Sequence, residues 1–229
     1  MGSMEARGSL ALLQISDSFF PTGAFSHSQG LEAFHAAGEL ESAEDLARIV
    51  SLQLSSMATS DCVALRVAHG GSELEEVSRA DRLLTATKLS RELREGSAAT
   101  GRRFLRSVLA LDESLEHVER FDRLVRASAA DGNLAVCHGL ACRELGIGES
   151  AALHAYLYAA GSSLVAAGQK LVPLGGNVAQ RVLYELGGEI ERTASAGAGL
   201  EAEDMYAFAP VVEVRSMQHE RQRTRLYIS

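Results

Sequence analysis

Proline is scarce: Pro21, Pro173 and Pro210 are the only three in 229 residues. About 150 residues separate the first two, an interval free of the ring that removes a backbone N–H and breaks a helix. Ala, Leu, Glu and Arg dominate there, and these are good helix formers. Cysteine is as rare. Cys62, Cys137 and Cys142 are an odd number at low density, which argues against a disulfide framework and for a reducing cytoplasm. Long apolar runs are missing too, since Ala151–Ala160 is interrupted by Gly161-Ser162-Ser163 and falls short of the ~20 residues that cross a bilayer. No membrane partner is expected. Nor is there an excess of positive charge: the net charge is −8, and such a chain gains little from counterion release on a phosphate backbone. Nucleic acid is not an expected partner. What the chain does have is 46% apolar residues, enough for a sizeable core.

The apolar residues recur at helical intervals. Ser42 with Asp45 has the spacing of a capping box, and Leu46, Ile49, Val50, Leu54 and Met57 follow, which predicts a helix near 43–58. Ser60-Asp61 can cap a second helix through Val63, Leu65 and Val67. Ser72 with Glu75 can cap a third carrying Leu74, Val77, Leu84 and Leu93, with breaks at Gly70-Gly71 and near Gly96. The pattern returns in Phe104, Leu105, Val108 and Leu109, in Val118, Phe121, Leu124 and Val125, and in Leu134, His138, Ala141 and Leu145. Residues 150–171 are apolar on most faces, as expected of a central helix. Pro173-Leu174-Gly175-Gly176 stops that helix. Asn177 can cap the next, which carries Val178, Val182, Leu183 and Leu186 as far as Gly187-Gly188, and 194–199 is a small-residue linker. The chain therefore reads as all-α, a single-domain bundle of about eight to ten helices joined by short connections. Met1-Gly2-Ser3-Met4 resembles a cloning scar, and residues 1–9 are set apart as a flexible N-terminus. The helical domain is 10–209 and the tail is 210–229.

No constellation carries chemistry by itself. A phosphate-binding loop needs a Gly-rich turn leading into Lys-Ser or Lys-Thr, and Gly161 to Gly168-Gln169-Lys170 has the wrong spacing. Cys137 and Cys142 lie about 140° apart around a helix and cannot converge on one ion, and His138 with Cys142 supplies only two ligands. His27 between Ser26 and Ser28 lacks a third group to orient it as a base. Asp112, Glu113, Glu116, Glu119 and Asp122 bracket His117 and Arg120 at the spacing of a solvated, ion-paired face. No cofactor, metal or catalytic residue is expected. The tail sets four arginines against Glu213 and Glu220 on an otherwise acidic chain. Its ends Leu226, Tyr227 and Ile228 have no helical face to join, so it reads either as a segment that orders on a partner or as one that folds back on its own body.

The segment from Leu12 to Glu32, with Pro21-Thr22-Gly23-Ala24-Phe25-Ser26-His27-Ser28-Gln29-Gly30-Leu31-Glu32, resembles the N-terminal signature of the UreF family of urease accessory proteins. Three later stretches agree in order: His138–Ile147, Val172–Gly175 through Gln180–Leu183, and the tail Ser216-Met217-Gln218-His219-Glu220-Arg221-Gln222-Arg223-Thr224-Arg225-Leu226. The resemblance implies an all-α, cytoplasmic, homodimeric chaperone that bridges UreD (UreH) and the GTPase UreG and so brings nickel to apo-urease. By the same resemblance the partner-binding positions are Pro21, Gly23, Phe25, Ser26, Ser28, Arg181, Met217, His219, Glu220, Gln222 and Arg225. For 21–28 two uses remain open, a tight turn into the following helix or direct partner contact.

The alternative class is a helical metal-dependent enzyme whose site assembles from dispersed histidines such as His27, His35, His138 or His219. Lacking a phosphate cradle, the isolated chain is expected neither to bind nor to hydrolyse GTP. Equilibrium binding of a fluorescent GTP analogue and phosphate release check this, and hydrolysis by the pure chain would contradict it.

Overall fold

The computed structural model describes residues 2–23, 27–222 and 225–227, with side chains from residue 7 onward. Among the described residues there is no strand, and the fold is the all-α bundle that the sequence predicts. In order the helices are α1 (Gly2–Ser16), α2 (Leu31–Ala36), α3 (Ala43–Ser56), α4 (Asp61–Gly70), α5 (Leu74–Thr87) and α6 (Arg91–Leu111). Then come α7 (Glu116–Arg126), α8 (Leu134–Glu144), α9 (Glu149–Leu171), α10 (Gly176–Glu185), α11 (Gly187–Ala196) and α12 (Pro210–His219). The tag-like residues 2–9 are helical, and Gly187-Gly188 opens α11 where the pattern predicted only a stop.

Helix α9 is central as its apolar pattern predicts, touching α1, α2, α3, α4, α8, α10 and α11. Its small residues let neighbours close in: a Cβ on Gly168 would stand 2.4 Å from Leu46 Cδ1 of α3. The most enclosed helix, however, is α8, in which every residue from Ala135 to Cys142 is buried. It rests on α4 with Gly139 against the Leu65 carbonyl, an approach that only a residue without a side chain permits. The three cysteines are free and buried, and desolvation pushes Cys62 up to about 12. They are packing residues.

The helix starts depart most from the expected pattern. Ser42 does cap α3, its Oγ accepting Asp45 N–H at 3.1 Å, while Asp45 Oδ2 accepts from Glu41 N at 3.3 Å. Ser72 does not cap α5, whose N-cap is Glu73 with no side-chain bond. Ser60 Oγ turns back to the Ser56 carbonyl, and Asn177 lies inside the first turn of α10. The break expected near Gly96 falls at 88–90, and Gly96 is inside α6.

Carboxylates from distant helices occupy two further starts, those of α8 and α7. Asp81 of α5 accepts N–H bonds from Asp131, Gly132 and Asn133 at 2.6, 2.9 and 2.8 Å before α8. Glu144 of α8 accepts from His117 and Val118 N–H at 2.9 and 3.1 Å, and its other oxygen lies 2.8 Å from His117 Nδ1. His117 is thus anchored to α8, while Arg120 pairs with Glu116 at 4.0 Å as the expected ion-paired face requires; Arg123 and Arg126 add Glu119 and Asp122, and Asp122 is buried where a solvated position was expected. A helix start leaves N–H groups without partners, and an ionised acceptor matches both their hydrogens and the positive end of the helix dipole.

Gly139→Ala should cost about 1–3 kcal/mol, because the added methyl would stand 2.4 Å from the Leu65 carbonyl oxygen and force α4 and α8 apart. Urea denaturation measures the loss, and an unchanged midpoint would show that the two helices separate freely.

Candidate partner-binding site

The motif loop and the tail, far apart in sequence, both lie on α6, the loop at Arg103 and Phe104 and the tail at its start, and they meet where Gly30 touches Ser216. Phe20 is buried against Phe104 of α6 with ring centroids 5.6 Å apart, which sets the start of the loop. Gly23, at φ +76°, lies so close to Arg103 of α6 that a Cβ would stand 2.1 Å from its guanidinium. Gly30, at φ +89°, brings the end of the loop against the Ser216 backbone of α12. Gln53 of α3 steadies it from the other side, donating to the Gln29 carbonyl at 3.0 Å. Both glycines combine a left-handed backbone with a close approach, which a residue without a side chain takes at least cost.

The tail is clamped by buried acids. His219 at the end of α12 is 0% exposed; its Nδ1 is 2.7 Å from Glu92 Oε2 and its Nε2 is 3.1 Å from Glu32 Oε2. The ring is thus held between two carboxyl groups, one at each nitrogen. Glu92 also takes Arg225 Nη1 at 2.9 Å, and Glu32 accepts the backbone N–H groups of Leu226 and Tyr227 at 2.8 and 3.2 Å. Tyr227 is buried, donates its hydroxyl to the Ala167 carbonyl at 3.1 Å, and has Lys170 over its ring. Burial raises its phenol, and the Glu32 carboxylate adds to the shift. Upstream, Glu213 and Glu220 accept the Ser90 and Arg91 N–H groups at 2.8 and 3.1 Å and so close the start of α6. Ser216 Oγ meets Ser90 Oγ at 2.7 Å.

The expectation that the terminal apolar residues have no face to join therefore fails for Tyr227, which docks between Glu32 and α9. Leu226 does stay exposed.

The expected site residues fall into three groups. Pro21, Gly23 and Ser28 lie in the loop, Pro21 exposed and Ser28 fully buried; Phe25 and Ser26 lie outside the described residues. Met217, His219, Glu220, Gln222 and Arg225 lie in the clamped tail. His219 is wholly enclosed, so it positions the outer surface of α12 and does not present itself. Arg181 is exposed on α10, which packs on α3, α9 and α11, away from this region. Loop and tail lie in one region of the structure, and Arg181 lies outside it.

Sequence reasoning missed Glu92, Ser90 and Arg103, which on a helical pattern look like ordinary surface residues. Glu32 stood in the motif without a role.

Nor do the dispersed histidines form a common centre. His35 Nδ1 meets the Leu40 carbonyl at 2.9 Å, and His138 sits between the rings of Phe104 and Tyr156. His27 is held below its ordinary range by burial first and the Arg103 guanidinium second, with Glu92 opposing. Among the described residues no group of three His, Cys, Asp or Glu side chains is placed to hold a metal ion, and no helix is long and apolar enough to cross a membrane.

Fold and site together define an all-α protein whose most elaborate surface is a loop and a C-terminal helix clamped over buried acids. Residues 40–187 match the family model described as UreF. A urease accessory protein UreF of Paenarthrobacter aurescens is 37% identical over 230 residues, covering 99% of this chain and 100% of that protein. Its counterpart from Kocuria rhizophila is 35% identical over 228 residues, covering 97% of each. The chain belongs to the UreF family of urease accessory proteins.

His219→Ala should cost about 3–5 kcal/mol, since it leaves Glu32 and Glu92 buried with one partner fewer. Calorimetry should show the fall in Tm, and limited proteolysis should show faster cleavage after Arg215 and Arg221. Equal stability and unchanged cleavage would mean that the acids do not hold the tail.

Proposed function

We propose that this chain is a non-catalytic, cytoplasmic adaptor of urease maturation, a homodimer that joins UreD (UreH) to the GTPase UreG while nickel is inserted into apo-urease. The observation that carries the reading is the inverted character of α12. Its inward face is mostly polar, with Glu213, Ser216 and His219 buried beside Val212. Its outward face is apolar, with Val211 50%, Val214 51% and Met217 39% exposed, and Phe208 just upstream is 78% exposed.

A helix that spends its polar groups on its own protein and offers an apolar stripe to solvent is built to be covered. The clamp fixes the stripe in advance, which lowers the ordering cost of binding. UreD is assigned to this surface because the tail carries the family resemblance, and the fold-back seen in the isolated chain is then the preformed state of the binding element. Arg181 belongs to a second surface on α10, where Tyr184 is also exposed; that surface is assigned to the second copy in the homodimer. An enzyme reading gains no support, since among the described residues no three of these histidines and their acidic or thiol neighbours are placed to hold a metal ion.

The double variant V211E/V214E changes only exposed positions and should leave Tm within a few degrees of the parent chain, since such substitutions cost about 0.5 kcal/mol or less. Its affinity for UreD should fall at least about tenfold, as removing a hot-spot cluster does. Co-purification and calorimetric titration measure both, and undiminished binding would remove α12 from the interface.

A further inference from the structure

Thr22, His27 and Gln29 of the loop, the tail and α6 also form part of the wall of a partly open cavity of about 740 Å³ that α1, α3, α8 and α9 complete. That volume lies in the range that takes a small organic ligand. Much of its wall is apolar, with Leu12, Ile15, Leu93 and Phe104 among the lining residues.

The charged groups on the wall are already engaged. Asp61 receives Lys88 Nζ at 2.8 Å and the Tyr156 hydroxyl at 2.9 Å, Glu92 holds His219 and Arg225, and Glu213 holds the Ser90 N–H.

Two buried side chains on the same wall end in atoms that nothing engages. Gln53, 2% exposed, commits its amide N–H to the Gln29 carbonyl, which fixes its Oε1 as an acceptor, and that oxygen has no partner among the described residues. His138 is 4% exposed, and its Nε2 likewise has no partner. Desolvation holds His138 at about 4 against the opposing pull of the Ala152 backbone carbonyl, so the ring is neutral at pH 7; since Nε2 has no partner, the hydrogen that meets this carbonyl is on Nδ1, and Nε2 is an acceptor. Buried acceptors left unmatched are costly, and the group that completes them is a donor. A carboxylate ligand would set acceptor against acceptor beside Asp61, Glu92 and Glu213.

We propose that this cavity is a binding site for a small molecule with an apolar body and an N–H donor head, an alkylamine or a primary alkylamide, held by Gln53 Oε1 and His138 Nε2. The site is independent of the urease reading, because it is tested on the isolated full chain without any partner protein.

Calorimetric titration and thermal melting are run with hexanamide, hexylammonium chloride and sodium hexanoate, each up to about 10 mM. Hexanamide or hexylammonium should bind saturably and raise Tm by about 2 °C or more, hexanoate should not, and the response of the first two distinguishes a neutral from a charged head. Gln53→Met should weaken binding at least about tenfold, as should His138→Phe. If His138→Phe does not fold, the 15N shift of His138 Nε2 in the unaltered chain, which should move on saturation, replaces it. Stabilisation by hexanoate equal to that by the amide, no saturable binding by either donor, indifference to Gln53→Met or an unmoved His138 resonance would each overturn the proposal.

Discussion

The fold depends on carboxylates that travel a long way to reach helix starts. Asp81 reaches the turn before α8, Glu144 reaches α7, and Glu213 with Glu220 reaches α6. Each joins two elements distant in sequence by satisfying N–H groups that would otherwise be buried without partners. The consequence for α12 is direct. Because α6 begins on acids carried by α12, the tail is part of the body: Ser90 and Arg91 cannot be capped in this way unless Pro210–His219 is docked.

That docking then decides what the tail can offer. Glu32 and Glu92 draw His219 and Arg225 inward and fix the backbone of Leu226 and Tyr227. Polar groups are used up on the inner face, so the valines and Met217 of the outer face remain as the exposed feature. A surface that is rigid before contact loses less entropy on binding than a flexible strand would. The same geometry brings the loop into the site, since Gly30 must lie on Ser216 and Gly23 on Arg103 for the two segments to share α6.

Close backbone approaches supply the rest of the scaffold. Gly139 lets α4 and α8 touch, and Gly168 admits Leu46 between α3 and α9. Beside this tightly packed half, α1, α6 and α9 line the cavity on whose wall Gln53 and His138 lie. Dense packing on one side and an open chamber on the other follow from where the small residues lie along α9: Gly168 sits against α3, while Ala155, Ala159 and Ala160 line the chamber.

The sequence by itself determined the helical class, the extent of α3, α7, α8 and α9, the Ser42 cap, and the two segments whose motifs carry the family. Those are local matters: periodicity, proline-free composition and a cap three residues from its partner are written within one or two turns of chain. It did not determine the caps of α6, α7 and α8, the role of Glu92 and Arg103, or the fate of Tyr227. A glutamate on an amphipathic helix looks the same in sequence whether it faces water or a buried imidazole, and only the packing of α2, α6 and α12 removes the water and leaves His219 as its partner. The tertiary structure likewise turned Val211, Val214 and Met217 of α12 outward, because Glu32 and Glu92, both buried, take up the polar side of that helix and the residues after it, and of its valines only Val212 reaches the core.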